Sequence, residues 1–368
     1  MGQWQSILEN LEMNSSFWKN RKVFLTGHTG FKGGWTALWL SNMGAKVYGY
    51  SLAPLTRPSF FVATKLEKQL SQSTFSNILD LKNLVQEMKT ARPSVIIHMA
   101  AQSLVRESYK LPVETFMNNV IGTVNVLEAA RQTETVKAII NVTTDKCYEN
   151  QGWIRPYHEN DRLGGHDPYS SSKACSELVT TSYRKSFLSN AGICLASVRA
   201  GNVIGGGDWA NDRLIPDFFR SLDENKTLHI RSPNAIRPWQ HVLEPVSGYL
   251  MLAEKLITVG DKYSEAWNFG PDESDPKQVL QIAEYLCSKF KDSRFEIENT
   301  LQPHEAEFLS LDSSKAKARL AWTNHWNLET TLNKTIEWYQ AWRNHEDMKA
   351  ISISQINFYE KQMVNRNN

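Results

Sequence analysis

The sequence predicts an α/β fold: a doubly wound parallel sheet followed by a smaller C-terminal lobe. Three observations carry this prediction. Short apolar runs alternate with helical patterns between residues 21 and 198. Gly27, Gly30 and Gly33, spaced three apart, lie where the first apolar run gives way to the first helical one. Beyond Arg199 the strands shorten, a Gly205-Gly206-Gly207-Asp208 loop breaks the rhythm, and Trp209, Trp239, Trp267, Trp322, Trp326, Trp338 and Trp342 enrich the chain in large aromatics. Strands separated by helices of this length join through right-handed crossovers into a parallel sheet. The series is Rossmann-like, and ligands of such sheets lie beyond the carboxyl ends of the strands.

Taken in order, residues 21–26 read as a strand, and the helix after them puts Trp35, Leu38 and Trp39 on one face before stopping at Gly44, which suits a C-cap. Strand, glycine turn and helix form a dinucleotide-binding fingerprint. Gly27 permits the tight turn, Gly30 lets a pyrophosphate approach, Gly33 lets helix pack on strand, and the phosphates sit at the positive helix end. Residues 46–50 give the second strand, which ends at Ser51-Leu52-Ala53-Pro54 with Arg57 beyond. An NAD site usually offers a carboxylate at that strand end. Its absence leaves NAD and NADP both open, since Arg57 suits a 2′-phosphate. Asp80, ahead of Leu81 and a helical run over 81–88, reads as an N-cap, as an adenine contact, or as both.

Residues 94–99 form an apolar strand, and the small residues of Ala100-Ala101-Gln102-Ser103 let a cofactor lie against the backbone. Residues 113–131 are helical through Phe116, Val120, Val124 and Leu127. Gly122 inside that run costs about 1 kcal/mol relative to alanine, which points to close packing. Residues 138–142 are a buried strand ending in Thr143-Thr144-Asp145-Lys146; a helix over 168–188 and a strand over 194–198 complete the series. Further on, 227–231 and 266–269 read as short strands, and 244–255, 276–290 and 328–344 as helices with apolar faces. This gives an N-terminal extension (1–14), a dinucleotide-binding domain (15–200, with returning segments near 236–270) and a mainly substrate-binding lobe (201–368).

Composition excludes several classes. With 368 residues, 41% hydrophobic, 22% charged and a net charge of +2, the chain is an ordinary soluble protein. Its Lys and Arg are scattered, which gives no case for nucleic acid. No apolar stretch approaches the roughly 18 residues of a membrane span, and no secretory h-region appears. Cys147, Cys175, Cys194 and Cys287 lie far apart, as expected of reduced thiols in a cytoplasmic protein rather than disulfides or a metal site. Met1-Gly2 with Ser6 fits a short myristoylation pattern that is common by chance, and Met13 offers a second start, so residues 1–14 carry no assigned function.

Tyr169-Ser170-Ser171-Ser172-Lys173 sets a phenol and an ammonium four residues apart, on one helix face. A cation there, together with a positively charged nicotinamide, favours phenolate and lowers the tyrosine pKa. The result is a general base for a hydroxyl proton while hydride leaves the same carbon. With these residues the chain resembles the extended short-chain dehydrogenase/reductase family. The resemblance rests on Thr26-Gly27-His28-Thr29-Gly30-Phe31-Lys32-Gly33, Asp80, Ala100-Ala101-Gln102, Asn119 with Gly122, and Tyr169 with Lys173. Within that family, residues 27–35, 144–150 and 237–242 are most similar to nucleotide-sugar 4,6-dehydratases, and CDP-glucose is the substrate implied.

The resemblance implies a tightly bound NAD. Its contacts would be Gly27, Thr29, Gly30, Phe31, Lys32, Gly33, Ser51, Arg57, Asp80, Leu81, Ala100, Ala101, Gln102, Asn119, Thr143, Tyr169 and Lys173. It also implies a reaction for deoxysugar and O-antigen lipopolysaccharide synthesis. Oxidation at C4 acidifies the C5 hydrogen, water leaves across C5 and C6, and hydride returns to C6, giving a 4-keto-6-deoxy product. Elimination needs an acid and a base. Related dTDP-glucose dehydratases place a glutamate where this chain has Lys146. Asp145 is therefore read as the acid, Lys146 as the base, and Thr144 as a partner of the sugar or of Tyr169. The bland alternative is an ion pair across a turn, worth under about 1 kcal/mol if exposed.

For the sugar nucleotide the resemblance implies Asn202, Arg213 and Arg237, with His241 close by and Ser103 and Arg106 facing the sugar. Arg237 forks a diphosphate or braces the Trp239 loop; His241 is a site residue or a satisfied core histidine. A nucleotide-sugar epimerase would share the cofactor and Tyr169 but has no use for the Asp145-Lys146 pair. A non-catalytic redox sensor would need neither Tyr169 nor Lys173. Helices over 113–131 and 169–188 offer the seam of a homodimer, or of a homotetramer built from it.

Overall fold

The computed structural model describes residues 13–153, 155–272, 277–298 and 309–365. Six strands come from the first half: β1 (Lys22–Thr26), β2 (Lys46–Ser51), β3 (Gln72–Phe75), β4 (Val95–His98), β5 (Ala138–Val142) and β6 (Cys194–Ala200); β7 (Ala266–Phe269) returns from the second. They form one sheet in the order β7-β6-β5-β4-β1-β2-β3. Every pairing in it is parallel. β4 and β5 are buried at every position, as strands covered on both faces must be. Register aligns Thr26 with Tyr50 and His98, so these residues share the carboxyl edge. β3, Gln-Ser-Thr-Phe, is too polar to announce itself; it is held by pairing with β2 and by Gln72 donating to Glu87.

The main helices are α1 (Phe31–Asn42), α2 (Leu81–Ala91), α3 (Gly122–Arg131), α4 (Pro168–Tyr183), α5 (Leu214–Asp223), α6 (Leu243–Thr258), α7 (Val279–Lys289), α8 (Leu328–Arg343) and α9 (Met348–Asn365). The 113–131 rod is real but interrupted: Pro112–Phe116 runs through a π turn, Met117–Ile121, into α3. A Cβ on Gly122 would stand 2.9 Å from the Ile78 side chain, which is the close packing expected there. The helix expected from residue 276 starts at Val279; residues 273–276, like 1–12, lie outside the described residues.

One core binds the two halves. It joins Trp18, Trp35 and Trp39 from the first half to Trp267, Trp322 and Trp338 from the second, all fully buried. The chain beyond residue 201 is therefore divided. α5, α7 and the parallel pair Leu228–Ile230 with Phe295–Ile297 build the lobe. α9, which the sequence did not announce, packs on α1: Tyr359 meets Trp39 edge-on at 5.7 Å, and the Trp39 indole donates to Glu360 at 2.7 Å. All four cysteines are free, and among the described residues no helix is long and apolar enough to cross a membrane.

Candidate active site

The carboxyl edge of the sheet collects the site. Gly27 turns the chain at φ +79°, and a side chain there would strike the backbone of Met99 and Ala100 at 2.8 Å. A Cβ on Gly33 would lie 2.1 Å from the Gly27 carbonyl, so α1 can sit this close to the turn only without one. Gly30 caps α1 without a side chain, leaving the first-turn N–H groups to a ligand. Thr26 Oγ1 accepts from the Met99 and Ala100 amides, holding the start of the Ala100-Ala101 segment. Turn, uncapped helix start and small residues together fit a dinucleotide. At the ribose end Ser51 and Thr29 pair their hydroxyls at 2.9 Å, and Arg57 stands exposed. Asp80 is the N-cap of α2, accepting from the Asn83 amide at 3.0 Å. Buried Asn119, in the π turn, binds Gln102 through both amide and carbonyl and donates to Ser172, so it ties the segment after β4 to α4.

The catalytic end lies where β5 meets α4. Asp145–Cys147 is a single 3₁₀ turn at the end of β5, and Thr144 caps it by accepting from the Lys146 amide. Thr144 Oγ1 donates to Asp145 Oδ1 at 2.9 Å. The other carboxyl oxygen, Oδ2, is buried and has no partner among the described residues. A buried orphan oxygen is costly, and this one lies beside Thr144 and Tyr169. Lys146 is half-buried, and its ammonium has no partner among the described residues.

Tyr169 is buried beside Thr144 and Asp145. Burial pushes its phenol up to about 12, with Thr144 and Arg213 pulling it back and Asp145 pushing it further. The Lys173 ammonium donates to the Val142 carbonyl at 3.1 Å, and burial lowers it to about 8. Arg213 is a cation that favours the Tyr169 phenolate in this arrangement. Arg213 pairs with Asp208 at 2.7 Å and donates to Ser103 at 3.2 Å. Lys32 belongs to the same cluster. Burial, then Arg213 and Lys173, bring its ammonium down to about 8 against the pull of Asp145, and it lies over the Tyr249 ring.

The structure thus brings together Lys32, Thr144, Asp145, Tyr169, Lys173, Arg213 and Ser103, with Arg106 near the rim 3.5 Å from Asp212. Of the two readings of His241, the burial favours the core one: the ring is fully buried between Trp35 and Trp326, burial lowers it to about 3, and its Nε2 has no partner among the described residues. Arg237 is buried and donates to the Ile236 carbonyl, while the Asn202 carbonyl accepts from Gln240. Sequence reasoning missed Asp208, which orients Arg213, and Tyr249, whose buried hydroxyl has no partner among the described residues. Asp208 closes the glycine loop, a signal that was available; Tyr249 sits inside an apolar helix and gave none.

The fold and this site define a dinucleotide-binding enzyme of the extended short-chain dehydrogenase/reductase class. The family model described as GDP-mannose 4,6 dehydratase matches residues 24–335. A CDP-glucose 4,6-dehydratase of Salmonella typhimurium is 48% identical over 353 residues, covering 94% of this chain and 98% of that one. The chain belongs to the GDP-mannose 4,6 dehydratase family, the nucleotide-sugar dehydratase branch of that class. Solved structures share the fold. A dTDP-glucose 4,6-dehydratase from Streptomyces venezuelae, with NAD and TYD bound, has a TM-score of 0.74 at 22% identity over 89% of this chain and 99% of its own. A UDP-glucose 4-epimerase from Thermotoga maritima, with UDP-glucose, has a TM-score of 0.75 at 21% identity over 87% and 99%.

Proposed function

We propose that this protein is an NAD-dependent 4,6-dehydratase that converts CDP-glucose to CDP-4-keto-6-deoxyglucose and water, a cytoplasmic step of deoxysugar synthesis. The observation that carries the reading is the Asp145-Lys146 turn, capped by Thr144 and set beside Tyr169 and Lys173. An epimerase has no use for that turn. When bound, NAD supplies the acceptor for the C4 hydride and the donor that returns it to C6. Tyr169 Oη takes the C4 hydroxyl proton, and Arg213 beside it favours the phenolate. Lys146 Nζ, acting as the neutral amine, takes the C5 proton and later returns it to C5. Asp145 gives its proton to the departing C6 oxygen, which leaves as water. The proton gained by Tyr169 equals the one lost by Asp145. The Thr144 hydroxyl, bonded to Asp145 and next to the phenol, bridges the two.

The test is a panel of CDP-, dTDP-, UDP- and GDP-hexoses incubated with purified protein, followed by the alkaline absorbance of a 4-keto sugar. CDP-glucose should give the signal. Turnover of dTDP-glucose without CDP-glucose would overturn the substrate assignment and leave the chemistry standing.

The same reading includes a homodimer. Val113, Met117 and Ile121 on the 112–131 rod, with Leu178 and Phe187 on the adjoining 168–188 helix, expose large apolar side chains, Leu178 at 61%. Clusters of this kind mark association surfaces. Leu178→Arg should shift the protein toward monomer in sedimentation velocity, and an unchanged sedimentation coefficient would remove this seam.

A further inference from the structure

The turn carrying Asp145 and Lys146 has little side-chain restraint of its own. Asp145 Oδ2 and the Lys146 ammonium have no partner among the described residues. Backbone bonds hold its flanks, Thr143 to Val198 and Cys147 to Gly164, and the side-chain bonds on either side of it converge on one buried ion pair. Upstream, Thr143 Oγ1 donates to Glu177 Oε1 at 2.5 Å. Downstream, the Tyr148 hydroxyl accepts from Arg199 Nη1 at 2.7 Å and donates to Asn268 at 2.8 Å. Glu177 and Arg199 meet fork to fork, Nε to Oε1 and Nη2 to Oε2, both at 2.9 Å. Ser197 gives Oε2 a further bond at 2.6 Å. Both side chains are almost fully buried. The Arg199 guanidinium also lies 4.8 Å from the Tyr148 ring centroid, and that ring stacks on Tyr157.

Glu177 stands on α4, one turn past Lys173 and two past Tyr169. Arg199 stands on β6. One pair therefore joins three elements: the helix with the tyrosine, the strand end before the turn, and the first residue after it. A bidentate guanidinium–carboxylate contact has fixed geometry. Hydrophobic replacement of a buried pair is often no less stable, so fold stability alone gives little reason to keep one here.

We infer that Glu177 and Arg199 are positioning residues for the elimination step: they hold the Thr143–Tyr148 segment, and with it Asp145 and Lys146, in register with the Tyr169 face of α4. The inference rests on the reading of Asp145 and Lys146 as elimination acid and base. A displacement of about 1 Å at reacting groups can lower a rate by roughly 100-fold. Oxidation at C4 depends on Tyr169, which α4 carries, with Thr144 beside the phenol, so it should suffer less from a displaced turn than elimination, which needs Asp145 and Lys146 themselves.

The experiment uses two variants, of which Tyr148→Phe is the milder, and reads the thermal midpoint beside activity. Tyr148→Phe removes one hydroxyl and keeps the ring. Arg199→Lys keeps the charge and loses the fork. With CDP-glucose, both should still form NADH but release 4-keto-6-deoxy product at least about 10-fold more slowly. Amide exchange at residues 145–147 should quicken while the thermal midpoint stays near the parent's. Full product formation in Arg199→Lys would overturn the inference, as would NADH and product falling together with the midpoint. Lys146→Met run alongside separates the two readings. If it makes product normally, the acid–base assignment fails. If it blocks product while Tyr148→Phe and Arg199→Lys do not, only the positioning role fails.

Discussion

Lys146→Met should oxidise CDP-glucose at C4 and then stall, with NADH accumulating and little 4-keto-6-deoxy product released. Methionine keeps much of the lysine stem but cannot take a proton. Because the ammonium is half-buried and without a partner among the described residues, its removal strands no opposite charge, so the fold should be unharmed. A positioned general base is worth roughly 10²–10⁴ in rate, or about 3–5 kcal/mol of barrier. The companion Asp145→Asn keeps an acceptor for Thr144 and removes the acid. The two variants then differ in a readout other than product. In D₂O, Asp145→Asn should still exchange the C5 hydrogen, since its base is intact, and Lys146→Met should not. Normal product formation by Lys146→Met would remove that residue from the chemistry. C5 exchange in Lys146→Met would move the base elsewhere, and Lys32, half-buried in the same cluster, would be the first residue to examine.

How much of this was legible depended on whether a residue acts through its neighbours in sequence or across space. The glycine turn was legible because Gly27 and Gly33 answer to local backbone demands that recur wherever this turn is built. The strands β4 and β5 were legible because burial on both faces requires unbroken apolar runs. β3 was not, because an edge strand can be polar when its partner supplies the register. In the site, the i, i+4 spacing of Tyr169 and Lys173 places both on the buried side of α4. Spacing puts two residues on one face without saying what each hydrogen-bonds, and the Val142 carbonyl takes the ammonium. His241 shows the same limit. Its neighbours in sequence suggested a site residue, whereas its neighbours in space are Trp35 and Trp326, from distant parts of the chain.

Those buried histidines carry the second large prediction, a steep loss of stability in mild acid. His28 fills the space left by Gly49, bonds Ser73 at 2.8 Å, and is lowered by burial to about 4. His98 lies between the hydroxyls of Thr26 and Thr123, and burial, then Lys173, lowers it to about 3. His241 is lowered to about 3 by burial, then by Lys334. In each case the folded pKa lies below the unfolded value of about 6.5, so the unfolded chain takes the proton first as pH falls. The stabilising contribution is complete above about pH 6.5 and is lost progressively toward pH 4 and below. Each ring should cost about 1.4 kcal/mol per pH unit in that window, and three together about 4 kcal/mol per unit. Glu254 and Glu360, raised by burial, act in the opposite sense and offset part of the slope. Glu177 adds nothing until lower pH. Burial opposes its charge, but Arg199 and the Ser197 and Thr143 hydroxyls hold it at about 2, so its contribution fails only below the ordinary carboxylate range. Against a total stability of roughly 5–15 kcal/mol, a slope of this size is decisive. Urea unfolding at a series of pH values should show the midpoint falling steeply between about pH 6.5 and 5, with an uptake of two to three protons per chain. A midpoint that stays level to pH 5 would mean that these rings meet water, or gain an acceptor, in the folded protein.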